Sequence, residues 1–167
     1  EKRRRKTLTS PSMLREVLMD EERRKKFLKF STASMCPENL LFWTDVHVRY
    51  ESCDDPIARL MLAKYIVDQY LKSNAMMELN LDAIAKKVFA QDVINAIEEH
   101  EMSMNNSSSN QVKEIPKDIF ANLKVHVEID LLDSFSRFVH TLEFQSSLQD
   151  AEKKYDMFTM IIHWCFK

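Results

Sequence analysis

The chain is predicted to be all-α, and three observations carry that prediction: 167 residues without one glycine, prolines placed just ahead of helix-periodic stretches, and apolar residues at helical spacing. A typical sequence of this length holds roughly a dozen glycines at about 7% usage. Their absence removes the usual residue for left-handed and hairpin turns and disfavours a β-rich fold. The four prolines stand in Ser10-Pro11, Cys36-Pro37, Asp55-Pro56 and Ile115-Pro116, where a missing N–H costs a starting helix little. A composition of 45% hydrophobic and 30% charged residues suits one domain with its own core.

Taken in order, Met13, Leu14, Val17 and Leu18 give a first short helix, and the charged block Glu21 to Lys26 leads into Phe27, Leu28 and Phe30 on a second. From Pro37, Leu40, Leu41, Trp43, Val46, Val48 and Tyr50 support a helix that stops before Glu51-Ser52-Cys53-Asp54-Asp55. Asp55 caps the next, whose stripe of Ile57, Leu60, Met61, Ala63, Ile66, Val67, Tyr70 and Leu71 ends at Lys72-Ser73-Asn74. Another helix is expected from about Ala75. Ile84, Val88, Phe89, Val93 and Ile97 then carry a helical pattern that fades at Glu98-Glu99-His100-Glu101. Residues 103–115 include the polar run Asn105 to Asn110, which buries too little to order itself and reads as a mobile insertion. After Pro116 a long stripe through Phe120, Leu123, Val127, Leu131, Phe135 and Phe138 is expected to break near Asp133, with Phe144 to Leu148 closing the unit. Residues 149–167, with Tyr155, Phe158, Ile161 and Ile162, read as a C-terminal helix packing on the domain.

No nucleophile constellation, glycine-rich phosphate loop or metal-ligand spacing occurs, so catalysis by this chain alone is unsupported and no cofactor is expected. Cys36, Cys53 and Cys165 are odd in number and lack paired spacing, which indicates neither a disulfide framework nor zinc. The five histidines are scattered. The ten methionines read mainly as core filling, Met61 among them, with a partner groove as the other use of such residues. No run of about 18 apolar residues is present. Residues 1–11 read as a basic lead-in whose Lys2 to Lys6 could touch an anionic membrane surface, although net charge is only −2 and nucleic-acid binding is not expected. The chain opens without methionine and reads as part of a longer protein.

One constellation is more specific than composition. The order Leu14-Arg15-Glu16-Val17-Leu18, Phe27-Leu28-Lys29-Phe30 and Pro37-Glu38-Asn39-Leu40-Leu41-Phe42-Trp43 resembles the regulator-of-G-protein-signalling (RGS) family, whose hallmark is Glu-Asn-x-x-Phe-Trp. Ile66-Val67 with Tyr70-Leu71, then Leu79-Asn80-Leu81-Asp82, then Asp133-Ser134-Phe135-Ser136-Arg137-Phe138 match in the same order, covering residues 12–148. The resemblance implies an RGS-type bundle of about nine helices in two subdomains, with the long loop inserted after the sixth.

It also implies a function: a cytoplasmic, monomeric GTPase activator, not itself an enzyme, that binds a heterotrimeric G-protein α subunit in its GTP or transition-state form at the inner face of the plasma membrane. GTP and magnesium would belong to the partner. By the same resemblance Glu38 and Asn39 contact the switch loops, Asn80 reaches the glutamine that orients the attacking water, and Asp133 with Arg137 clasps the first switch. Ser34, Cys36, Ile129 and Ser134 complete the face. Ser34 stands where many active members carry an acid, and the insertion is expected to influence selectivity among α subunits. Read singly, Asn80 or Asp133 could be a helix N-cap and Arg137 a surface ion-pair partner. A related scaffold that binds without accelerating hydrolysis is the alternative.

Overall fold

A computed structural model describes residues 9–105 and 114–148. Every regular element among them is helical: α1 Pro11–Met19, α2 Glu21–Ala33, α3 Glu38–Thr44, α4 Pro56–Ile66, α5 Ala83–Asn105, α6 Ala121–Phe138, and α7 at residues 142–148. Two of them loosen into π-helical turns, α3 continuing through Asp45–Tyr50 and α4 through Val67–Leu71. There the Glu51 amide donates to the Val46 carbonyl and the Lys72 amide to that of Val67, five residues back. The chain forms two compact units, Cys36–Leu131 and a second made of the segments on either side of it.

In the unit built from both ends, side chains set where the helices start. Ser10 accepts the Met13 amide at 3.3 Å ahead of Pro11, and Asp20 accepts the Arg23 amide at 2.9 Å, so α1 hands over to α2 across one capping residue. The Arg24 guanidinium donates to the Leu18 carbonyl at 2.6 Å, satisfying an acceptor left open at the end of α1. Met13, Leu14, Val17 and Leu18 are buried. Phe27 stacks on Phe138 at 5.0 Å and meets Phe135 edge-on at 5.7 Å, while Phe144 of α7 closes on Phe138 at 5.4 Å.

The Cys36–Leu131 unit is centred on Phe42. Its ring meets Tyr70 at 5.5 Å and Phe120 at 6.2 Å, both nearly perpendicular, and Tyr50 meets Phe120 at 5.0 Å in the same way. Both buried phenols are satisfied: Tyr50 donates to the Pro116 carbonyl at 2.7 Å and Tyr70 to the Asp45 carboxylate at 2.6 Å. Asp55 caps α4 by accepting the amides of Ile57 and Ala58. Arg59, buried, donates to the Cys53 carbonyl and to Glu114. These bonds tie Glu114 and Pro116, which precede α6, to the turn between α3 and α4.

Several expectations change. α6 does not break near Asp133: Val127, Leu131, Phe135 and Phe138 are buried at helical spacing and neither glycine nor proline interrupts them, so the helix runs on to Phe138. No helix starts at Ala75. Residues 73–82 form turns, with the Leu79 amide donating to the Tyr70 carbonyl and Asn74 in a left-handed conformation. α5 continues past Glu98 to Asn105 because Ile97 and His100 are both buried and Lys64 pairs with Glu101. Residues 103–105 of the expected insertion are therefore helical, and 114–115 have no regular structure; the rest of it, 106–113, lies outside the described residues, as do 1–8 of the lead-in and the expected C-terminal helix at 149–167. Met61 is 62% exposed and not core, and Ile57, Ile84 and Val88 are exposed as well.

Burial pushes the phenols of Tyr50 and Tyr70 well above the ordinary tyrosine value, and at Tyr70 the hydrogen bond to Asp45 adds to the effect. Folding thus favours the neutral phenol. The stability it contributes is complete below the unfolded value near 10 and is lost as pH rises above it. Urea unfolding between pH 9 and 11.5 should show stability falling above pH 10, by up to about 1.4 kcal/mol per pH unit for each tyrosine. The slope should be shallower in Tyr70→Phe.

Candidate functional site

The residues singled out from the sequence fall in both units. Glu38 opens α3, where a carboxylate is favoured by the helix dipole, and is half-buried. Asn39 follows it in the first turn. Its side-chain oxygen is buried, and no group among the described residues donates to it. An amide oxygen left in that state costs about 1–3 kcal/mol, so the fold gains nothing from an asparagine at this position. Cys36, just before the helix, is a half-exposed free thiol.

Asn80 lies in the turn before α5 and is exposed. It caps nothing: the capping oxygen belongs to Asp82, which accepts the amides of Ile84 at 2.9 Å and Ala85 at 3.2 Å. A shallow groove of about 210 Å³ separates this turn from α6, lined by Asn80, Leu81 and Ala85 on one side and His126 and Ile129 on the other, with Asp82 and Asp130 also bordering it. Ile129 is 60% exposed. His126 meets the Phe89 ring edge-on at 4.9 Å, and its Nδ1 lies 3.0 Å from the Asn122 carbonyl. The groove therefore brings Asn80 and Ile129 together, 49 positions apart in the chain and on the same unit.

In the other unit, Ser34 closes α2, its amide donating to the Phe30 carbonyl at 3.0 Å. Asp133 and Arg137 both sit within α6, so Asp133 is not an N-cap. They form an exposed i,i+4 pair at 3.4 Å, a contact of small energetic weight that leaves both groups open to a partner. Ser134 between them is only 8% exposed, so its hydroxyl is not part of that open surface.

Three features were not drawn from the sequence. Met35, between Ser34 and Cys36, is 89% exposed and left-handed at φ 58°, a conformation costing a non-glycine residue about 1–2 kcal/mol. A chain without glycine must put other residues at such corners, and that was the signal available. His126 and Asp130 line the groove beside Ile129; their spacing of three and one from it on one helix was legible only once α5 was known to face them. Among the described residues no three His, Cys, Asp or Glu side chains are grouped to hold a metal ion, and no helix is long and apolar enough to cross a membrane.

A family model described as the regulator of G protein signaling domain matches residues 13–147. A search of curated proteins finds no match.

The geometry separates capping from contact. Asp82→Ala should cost about 1 kcal/mol of stability, and Asn80→Ala should stay within about 0.5 kcal/mol of the parent, both read by urea unfolding. A destabilised Asn80→Ala would mean that the fold itself requires the amide.

Proposed function

The chain belongs to the regulator of G protein signaling domain family, and on that premise we propose that it accelerates GTP hydrolysis on a heterotrimeric Gα subunit by holding the switch loops in their transition-state shape. The observation that carries this reading is Asn80: an exposed amide that caps no helix, set beside Ile129 in a groove. The fold does not ask for it. The orphaned Asn39 oxygen in α3 supports the reading in the same way.

A Gα subunit carries its catalytic arginine in cis and its own water-orienting glutamine, so an accelerator need not donate a catalytic group. Positioning is what remains to be supplied. Asn80 steadies the glutamine; Glu38 and Asn39 hold the switch loops; Asp133 and Arg137, solvent-facing on α6, engage the first switch. GTP and Mg²⁺ are the partner's, and the domain works at the inner face of the plasma membrane where Gα resides. Only contacts that are stronger in the transition state than in the ground state raise the rate. A hundredfold acceleration requires about 2.7 kcal/mol of such contacts, the scale of two well-placed hydrogen bonds.

Ser34 favours a second reading. The neutral serine closing α2 provides no carboxylate at a position where many active members carry one, which suits a scaffold that binds Gα without accelerating hydrolysis.

Single-turnover hydrolysis on a panel of Gα subunits separates the two. Acceleration by the domain, reduced at least tenfold in Asn80→Ala, is the expected result. Binding without acceleration on every subunit would establish the scaffold instead.

A further inference from the structure

α3 and α6 are tied at two points. At one, the Trp43 indole N–H donates to the Glu128 carboxylate at 3.0 Å. At the other, Glu51 accepts from Lys124 at 2.5 Å through one carboxylate oxygen and lies 2.8 Å from His47 Nδ1 through the other. The ties run in antiparallel order, Trp43 before Glu51 on one strand of the ladder and Glu128 after Lys124 on the other. The indole also packs on the His47 ring at 4.6 Å, so Trp43 is held on a face and at its N–H.

The Trp43–Glu128 tie sits at the end of this ladder that matters for contact. Asn39 lies four residues before Trp43, one turn up the same face of α3, and Ile129 follows Glu128 directly on α6. The seven α-helical residues of α3 and the six π-helical ones that continue it make a short helix, whose direction depends on packing more than on its own propensity. Trp43 is buried, and the bond from its N–H to Glu128 adds a directional contact to that packing. A hydrogen bond to an ionised acceptor is about twice as strong as a neutral one and is more demanding of geometry.

We infer that Glu128 is a positioning residue: through the Trp43 N–H it fixes the rotation of α3, and with it the placement of Glu38 and Asn39 relative to Asn80 and Ile129. The inference rests on the Gα reading above. Glu128 touches neither nucleotide nor the reacting atoms, and its effect on hydrolysis passes through Trp43.

Four variants test it by single-turnover GTP hydrolysis at saturating domain: Glu128→Ala, Glu128→Gln, Trp43→Phe and the double variant Trp43→Phe/Glu128→Ala. Circular dichroism fixes the folded fraction of each. Glu128→Ala and Trp43→Phe should each lower the acceleration about tenfold, equivalent to about 1.4 kcal/mol. The double variant should be no worse than either single one, because both remove the same bond. Glu128→Gln keeps an acceptor oxygen and should stay within about threefold of the parent. A purely structural role would lower the folded fraction and leave the acceleration per folded molecule unchanged at saturation, which overturns the inference. So would losses that add in the double variant, or a glutamine variant as poor as the alanine one. Asn80→Ala run alongside separates the two failures. If it slows hydrolysis while Glu128→Ala does not, the positioning role alone is wrong; if the parent accelerates nothing, the Gα reading fails and this inference with it.

Discussion

The direction of α3 is the constraint on which the Cys36–Leu131 unit depends. Seven α-helical residues and the six π-helical ones that continue them make a short helix that relies on packing for its course. The sequence answers with four buried side chains on one short stretch: Leu40, Phe42, Trp43 and Val46. Phe42 is clasped edge-on by rings from α6's approach and from the end of α4, and Trp43 is gripped at its N–H. Remove those contacts and the first turn, with Glu38 and Asn39, has no fixed heading. Core packing and the proposed contact residues share one motif here, with Phe42 and Trp43 buried a few positions from Glu38 and Asn39.

The same division of labour runs through the rest of the molecule. Asp55 and Asp82 cap helices through their carboxylates, while Asn80 caps none and the Asn39 side-chain oxygen has no donor among the described residues. The absence of glycine sharpens the contrast. Left-handed corners fall to Met35 and Asn74, each of which makes the turn at some conformational cost. At Met35 that strain lies between Ser34 and Cys36 in the chain.

Helix identity was largely legible in the sequence because prolines and capping acids mark starts and because the 3.6-residue period is strong where helices are half-buried. Helix ends were less so. A break was expected near Asp133, yet α6 runs straight through it because Leu131, Phe135 and Phe138 keep one buried stripe in phase. The charged run Glu98 to Glu101 hid a buried His100, which only tertiary packing could reveal. Met61 was misplaced because the stripe was read in the wrong phase: Arg59, Ala63 and Ile66 form the buried side of α4, and Met61 falls on the opposite side of the helix. At the candidate face, residue identities came from the order of matched motifs. The groove did not, since it requires α5 and α6 to be set side by side, and neither does the Trp43–Glu128 bond, which spans 85 positions.

The proposed face should recognise the transition-state form of its partner better than a relaxed one. The direct test is the affinity of the domain for one Gα subunit in three forms: with GDP, with a non-hydrolysable GTP analogue, and with GDP plus aluminium fluoride as a mimic of the transition state. Binding should be at least tenfold tighter to the aluminium fluoride form than to either of the others. Equal affinity for all three would contradict it, since uniform binding leaves the rate of hydrolysis unchanged.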